Sequence, residues 1–249
     1  MNIYQPPHIR AEAAALPRTE PVLAVTVPLG RLRYVLFAAS ALVILAGICR
    51  ELAVAVIGTD TVLQDLRHFA LDAERNLGAW YSSALMVLAA ALLFCCGRHG
   101  KADRRRGYWN WYVLASLFVL MSLDETVSFH EVLISPLRNA FDTSGVLFFA
   151  WVIPGSLFVI GAFVFFLPFL RSLPVRTALG FCAAGGVYVG GALGLEFVGG
   201  ALVSSQGWES TAYIAVAIVE ESLEILGLTM FVAFIIAHLL DRQRFWQII

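Results

Sequence analysis

Four apolar runs in this chain carry residues that hydrocarbon does not tolerate unpaired. The run SLDETVSFHE holds Asp124, Glu125, His130 and Glu131, and VEESLEILG holds Glu220, Glu221 and Glu224. Glu196 interrupts a glycine-rich stretch, GGVYVGGALGLEFVGG, and Arg50 with Glu51 interrupts a fourth apolar run. A charged side chain at the centre of a bilayer costs about 3 kcal/mol or more, so such groups face a bundle interior or a wet cavity, paired, protonated or bound to an ion. Eight carboxylic acids against one arginine and one histidine cannot all be neutralised from within the set. The remainder must be protonated, hydrated or bound to a cation.

The spacing favours a cation. Glu221 and Glu224 are three residues apart and Glu220 and Glu224 four, so on a helix their oxygens share a face. On a helix at 100° per residue, Asp124, Ser128 and Glu131 also share a face, while His130 points about 100° from Glu131 and Glu125 leaves on the opposite side. Carboxylates and a histidine converging from several helices are how bundle proteins hold iron or manganese. The expected site is therefore a divalent metal ion held by Asp124, Glu131, His130, Glu220, Glu221 and Glu224. Arg50, Glu51, Glu125 and Glu196 are expected as counter-ion or accessory groups. The paired Glu-x-x-His of di-iron bundles is absent, as are the His-Glu-x-x-His of zinc hydrolases and the paired histidines of intramembrane ceramidase-like hydrolases.

The elements that must position these groups are read from composition. Of 249 residues, 59% are hydrophobic and 14% charged, with a mean hydropathy of +0.79, which suits a bilayer better than water. A hydrocarbon core of about 30 Å needs roughly 20 apolar residues per helix. Six runs meet that need, at 34–58, 80–97, 112–134, 146–170, 178–203 and 212–240. The expected fold is an all-α, polytopic transmembrane bundle of about six helices spanning residues 31–249, after a tail over 1–30 that holds five of the nine prolines. The connection 59–79 has apolar residues at helical spacing and is expected as an amphipathic surface helix.

Orientation follows from lysine and arginine, which concentrate on cytoplasmic flanks. With the amino terminus inside, thirteen fall on inner segments, among them Arg104, Arg105 and Arg106, and three on outer loops: Arg67, Arg75 and Arg138. Both termini are thus expected in the cytoplasm, with the chain in a bacterial cytoplasmic (inner) membrane. At 1.5 Å per residue, all ten ionisable groups then fall in the outer half of the bilayer or at its midplane.

A net charge of −1 removes the basic excess that nucleic acid would require. Cys49, Cys95, Cys96 and Cys182 lie in apolar runs without metal-binding spacing and read as small packing residues. Gly186, Gly190 and Gly194 repeat every four residues and are expected to form a close helix-packing surface, offered to a second copy or to another membrane protein. Cation binding at the acidic site, with or without catalysis, is the leading functional expectation. The alternatives are a noncatalytic subunit of a membrane complex and a proton- or cation-coupled transporter. Against the transporter, there is no inverted repeat and few mid-span prolines beyond Pro154 and Pro168.

Overall fold

The computed structural model describes residues 29–57, 62–71 and 76–246. Nearly all of the expected amino-terminal tail lies outside the described residues. The chain forms α1 (Leu29–Ile57), a 3₁₀ helix (Val62–Phe69), α2 (Leu77–Ala102), α3 (Trp109–Val127), α4 (Phe129–Val132) and α5 (Ile134–Phe141). After a 3₁₀ turn at Gly145–Leu147 come α6 (Val152–Ser172), α7 (Val175–Val189), a π-helical turn (Gly190–Leu195), α8 (Glu196–Gln206) and α9 (Thr211–Trp246). No strand occurs among the described residues. Five helices are long and apolar enough to cross a membrane, or six if the bent pair α3 and α4–α5 is one span. We call the end where the described chain starts and finishes the near end, and the opposite one the far end.

Helix α9 is the central post. Its 36 residues reach about 54 Å, and it packs on α1, α2, α7, the π turn and α8. Its stretch from Ile225 to Leu239 is apolar apart from Thr229 and His238, the pattern of a helix enclosed by others, and Ile225, Val232, Ile235 and Ile236 are completely buried. Hydroxyl groups tie the neighbours to it. Ser40 on α1 bonds Thr229 on α9 and lies 3.0 Å from the Tyr81 hydroxyl on α2, and Thr177 on α7 lies 3.1 Å from His238 on α9. Ser83 on α2 meets Ser122 on α3 at 2.8 Å. Such bonds between apolar helices fix register where the hydrophobic effect cannot. By contrast α1 and α6 turn Leu42, Leu45, Leu157, Phe163 and Val164 outward, an apolar exterior.

Three expectations are corrected. Residues 112–134 are not one helix: α3 stops at Val127, Ser128 adopts a left-handed conformation (φ 56°), and the chain bends by 65°. The cause is local, because the Asp124 side chain accepts the backbone N–H of His130 at 3.1 Å and so competes with continuation of the helix. The face shared by Asp124, Ser128 and Glu131 therefore does not exist. The described part of the 59–79 connection is 3₁₀ over Val62–Phe69. The last helix runs past residue 240 to Trp246.

The expected glycine surface is open: a methyl at Gly186 or Gly190 would meet nothing within 4 Å, so these positions form no packing seam within the described chain. The close approach lies elsewhere. A methyl at Gly191 would sit 2.8 Å from the Glu220 carbonyl oxygen, and one at Gly227 would sit 2.6 Å from the Tyr188 backbone nitrogen. Only glycine lets the backbones of α7, the π turn and α9 touch at these two levels.

Candidate functional site

Three irregularities of helix geometry converge at the far half of the bundle. The first is the bend at Ser128. It turns α4 back so that His130 Nδ1 lies 2.7 Å from Asp124 Oδ2 and the imidazole rests 4.7 Å from the Trp151 ring just before α6. The second is the π turn. One extra residue in a turn rotates everything after it by about 100°, and Glu196 follows the turn directly. Its carboxylate Oε1 accepts the Trp151 indole N–H at 2.7 Å. The third is the glycine contact at Gly191, which brings the π turn against the Glu220–Glu224 turn of α9. Glu196 and Glu220 are close neighbours there.

Between α3, α6, α7, the π turn and α9 lies a cavity of about 1250 Å³. Asp124, Glu125, His130, Glu131, Glu196, Glu220, Glu221 and Glu224 all line it, seven acids and one imidazole, and no lysine or arginine does so among the described residues. Glu224 makes no hydrogen bond to a described residue; its nearest charged neighbours are Glu221, Glu125, Glu220 and Glu196. Seven carboxyl groups facing one space, with one imidazole and no lysine or arginine among the described residues that line it, constitute a strong local demand for positive charge, whether protons, an ion or a charged ligand.

Eight of the ten residues expected from sequence are thus brought together, and two are not. Arg50 Nη1 pairs at 2.6 Å with Glu51 on its own helix, and neither lines the cavity. Among the described residues, no three His, Cys, Asp or Glu side chains stand in an arrangement that could hold a metal ion. The expected ligands share a cavity without converging on a point.

Sequence reasoning missed Trp151 and Tyr188. Trp151 joins His130 to Glu196, and Tyr188 lines the cavity beside the Gly227 contact. A signal existed for the first: a tryptophan within an apolar run needs a partner for its N–H, and Glu196 was the nearby acid without one. No periodicity announces the π turn.

No curated protein and no solved structure matches the chain. One family does, over residues 34–239, a stretch that runs from early in α1 to late in α9 and takes in every residue of the cavity. The chain belongs to the family described as Domain of unknown function (DUF8692).

Proposed function

We propose that this chain is an integral membrane protein that binds a cation in the acidic cavity at the far half of its bundle. The observation that carries the reading is the composition of that cavity: seven acids from α3, α4, α8 and α9 against one histidine. Charges of one sign, gathered away from water, are tolerable only when something positive joins them. The lysine and arginine distribution favours both termini in the cytoplasm, and on that reading the cavity opens beneath the outer surface of a bacterial cytoplasmic membrane.

A divalent metal ion is one candidate, with Glu220, Glu221 and Glu224 as first ligands and Asp124, Glu131 and His130 as the opposing set. Because these groups do not converge to a coordination shell, metal binding requires them to draw inward. The Asp124–His130 pair supports a catalytic version: a carboxylate that orients an imidazole is the usual arrangement of a general base. A second reading, a subunit of a larger assembly, is favoured by the open Gly186 and Gly190 positions, where another helix could approach closely.

Equilibrium binding to the purified protein tests the main reading, with manganese, zinc and tetramethylammonium as probes. At least one should bind saturably, and Glu221→Gln with Glu224→Gln should weaken it at least tenfold. Absence of saturable binding by all three, in a protein that remains folded, overturns it.

A further inference from the structure

The cavity is long as well as acidic, and its two halves differ in kind. Along α9 its lining runs from Tyr213 to Phe231 and along α6 from Gly155 to Leu170, steps of eighteen and fifteen residues, or about 23–27 Å at 1.5 Å per residue. The far half holds the acids. The near half is walled by Leu117, Phe118, Phe163, Phe166, Phe181 and Phe231, with no charged group among the described residues. Its volume of about 1250 Å³ exceeds the roughly 300–1,000 Å³ of sites for drug-sized molecules, and a small hydrated cation would leave the apolar half unused.

The mouth is apolar too. Leu120 and Leu123 on α3 and Phe158 and Ile160 on α6 line the cavity and are also exposed, Leu120 by 59% and Ile160 by 61%. Towards the near end the two helices meet through rings, Trp109 on Phe165 at 5.8 Å and Trp111 on Phe169 at 4.9 Å, and above that contact the gap stands open. A gap rimmed by leucine, isoleucine and phenylalanine between two membrane helices admits a hydrocarbon chain from the side and gives a free aqueous ion no hydrogen-bonding path. At the boundary of the two halves is Glu224, half-buried and lining the cavity, with no hydrogen bond to any described residue.

Resting on the cation reading above, we infer that the ligand is a single-chain cationic amphiphile that enters from the bilayer between α3 and α6, its ammonium head among the carboxylates and its alkyl tail along the aromatic half. The chemistry also says what is refused. Among the described residues a phosphate-bearing headgroup would meet seven acids and no lysine or arginine, so the ligand is an amine or quaternary ammonium without a compensating phosphate.

The test measures equilibrium binding to the full-length protein in a maltoside detergent, using radiolabelled hexadecyltrimethylammonium, tetramethylammonium and hexadecyl phosphate. The long-chain ammonium should bind saturably and at least tenfold more tightly than either of the others. Glu221→Gln with Glu224→Gln should weaken it at least tenfold. Leu120→Trp with Ile160→Trp, which narrows the mouth, should slow its association at least fivefold and leave tetramethylammonium binding unchanged. If tetramethylammonium binds as tightly as the long-chain probe, the cation site stands and the amphiphile falls. If hexadecyl phosphate binds equally well, the slot selects chains and not charge, and the inference is overturned. If none of the three binds saturably, the amphiphile falls, and manganese and zinc then decide the cation site.

Discussion

Asp124 and His130 hold each other across a break in the helix that carries them: Oδ2 lies 2.7 Å from the ring Nδ1, and Oδ1 accepts the His130 backbone N–H at 3.1 Å. One carboxylate thus terminates α3, shapes the turn at Ser128 and orients an imidazole towards Trp151. The bend and the site are a single feature. Without it, His130 would remain on a continuing helix, about 100° from Glu131.

That coupling is measurable. Asp124→Ala and His130→Ala should each destabilise the protein in detergent, Asp124→Ala more, because it also frees the backbone N–H. In the double-mutant cycle the two should interact by about 0.5–3 kcal/mol, the range for residues in direct contact. Additive effects within about 0.3 kcal/mol would mean that the pair does not hold the bend.

The glycines give a matched pair of substitutions one residue apart. Gly191→Ala places a methyl 2.8 Å from the Glu220 carbonyl oxygen, so α9 and the π turn must separate, at a cost of about 1–3 kcal/mol for overpacking. Gly190→Ala meets nothing within 4 Å and should be neutral or slightly stabilising through helix propensity. Thermal unfolding of the two variants decides the matter. Equal melting temperatures would contradict the close approach that sets the acidic turns together.

How much of this was legible beforehand depends on which physical signal each feature leaves. The long apolar helices are plain in hydropathy, since a span of about 20 residues is imposed by the thickness of hydrocarbon. The shared cavity of Asp124, Glu131, Glu196 and Glu224 was legible from depth, because rise per residue converts position into level. Angular arguments failed where the helix is irregular. Ser128 is an ordinary serine to any propensity scale, and its left-handed conformation is enforced by the Asp124 carboxylate six residues from the histidine it binds. Spacing pointed to Gly186, Gly190 and Gly194 as a surface for a partner, whereas the close contact within the described chain falls on Gly191 in the π turn, which spacing does not announce. Arg50 shares the depth of the acids without their direction and pairs with Glu51.

Topology is open to a direct check. Thirteen lysines and arginines on one side against three on the other predict that alkaline phosphatase fused after Asp142 will be active and that a fluorescent protein fused at the carboxyl terminus will fluoresce. The reverse pattern would place the acidic cavity beneath the cytoplasmic surface. The mouth between α3 and α6, which opens sideways, would be unaffected.

Trp151 offers the cleanest separation of structure from charge. Its indole N–H is the donor given to Glu196, and Trp151→Phe keeps most of the ring while removing that donor. The acceptor is left in a crowded site, so the variant should lose about 1–3 kcal/mol of stability, the cost of an unsatisfied buried partner. Glu196→Gln should cost less, because its amide oxygen still accepts from Trp151 and its amide nitrogen can donate to Glu220. Chemical denaturation of both variants compares the two losses. If Trp151→Phe is as stable as the parent, Glu196 is already satisfied by water, and the far half of the cavity is wetter than an ammonium headgroup would require.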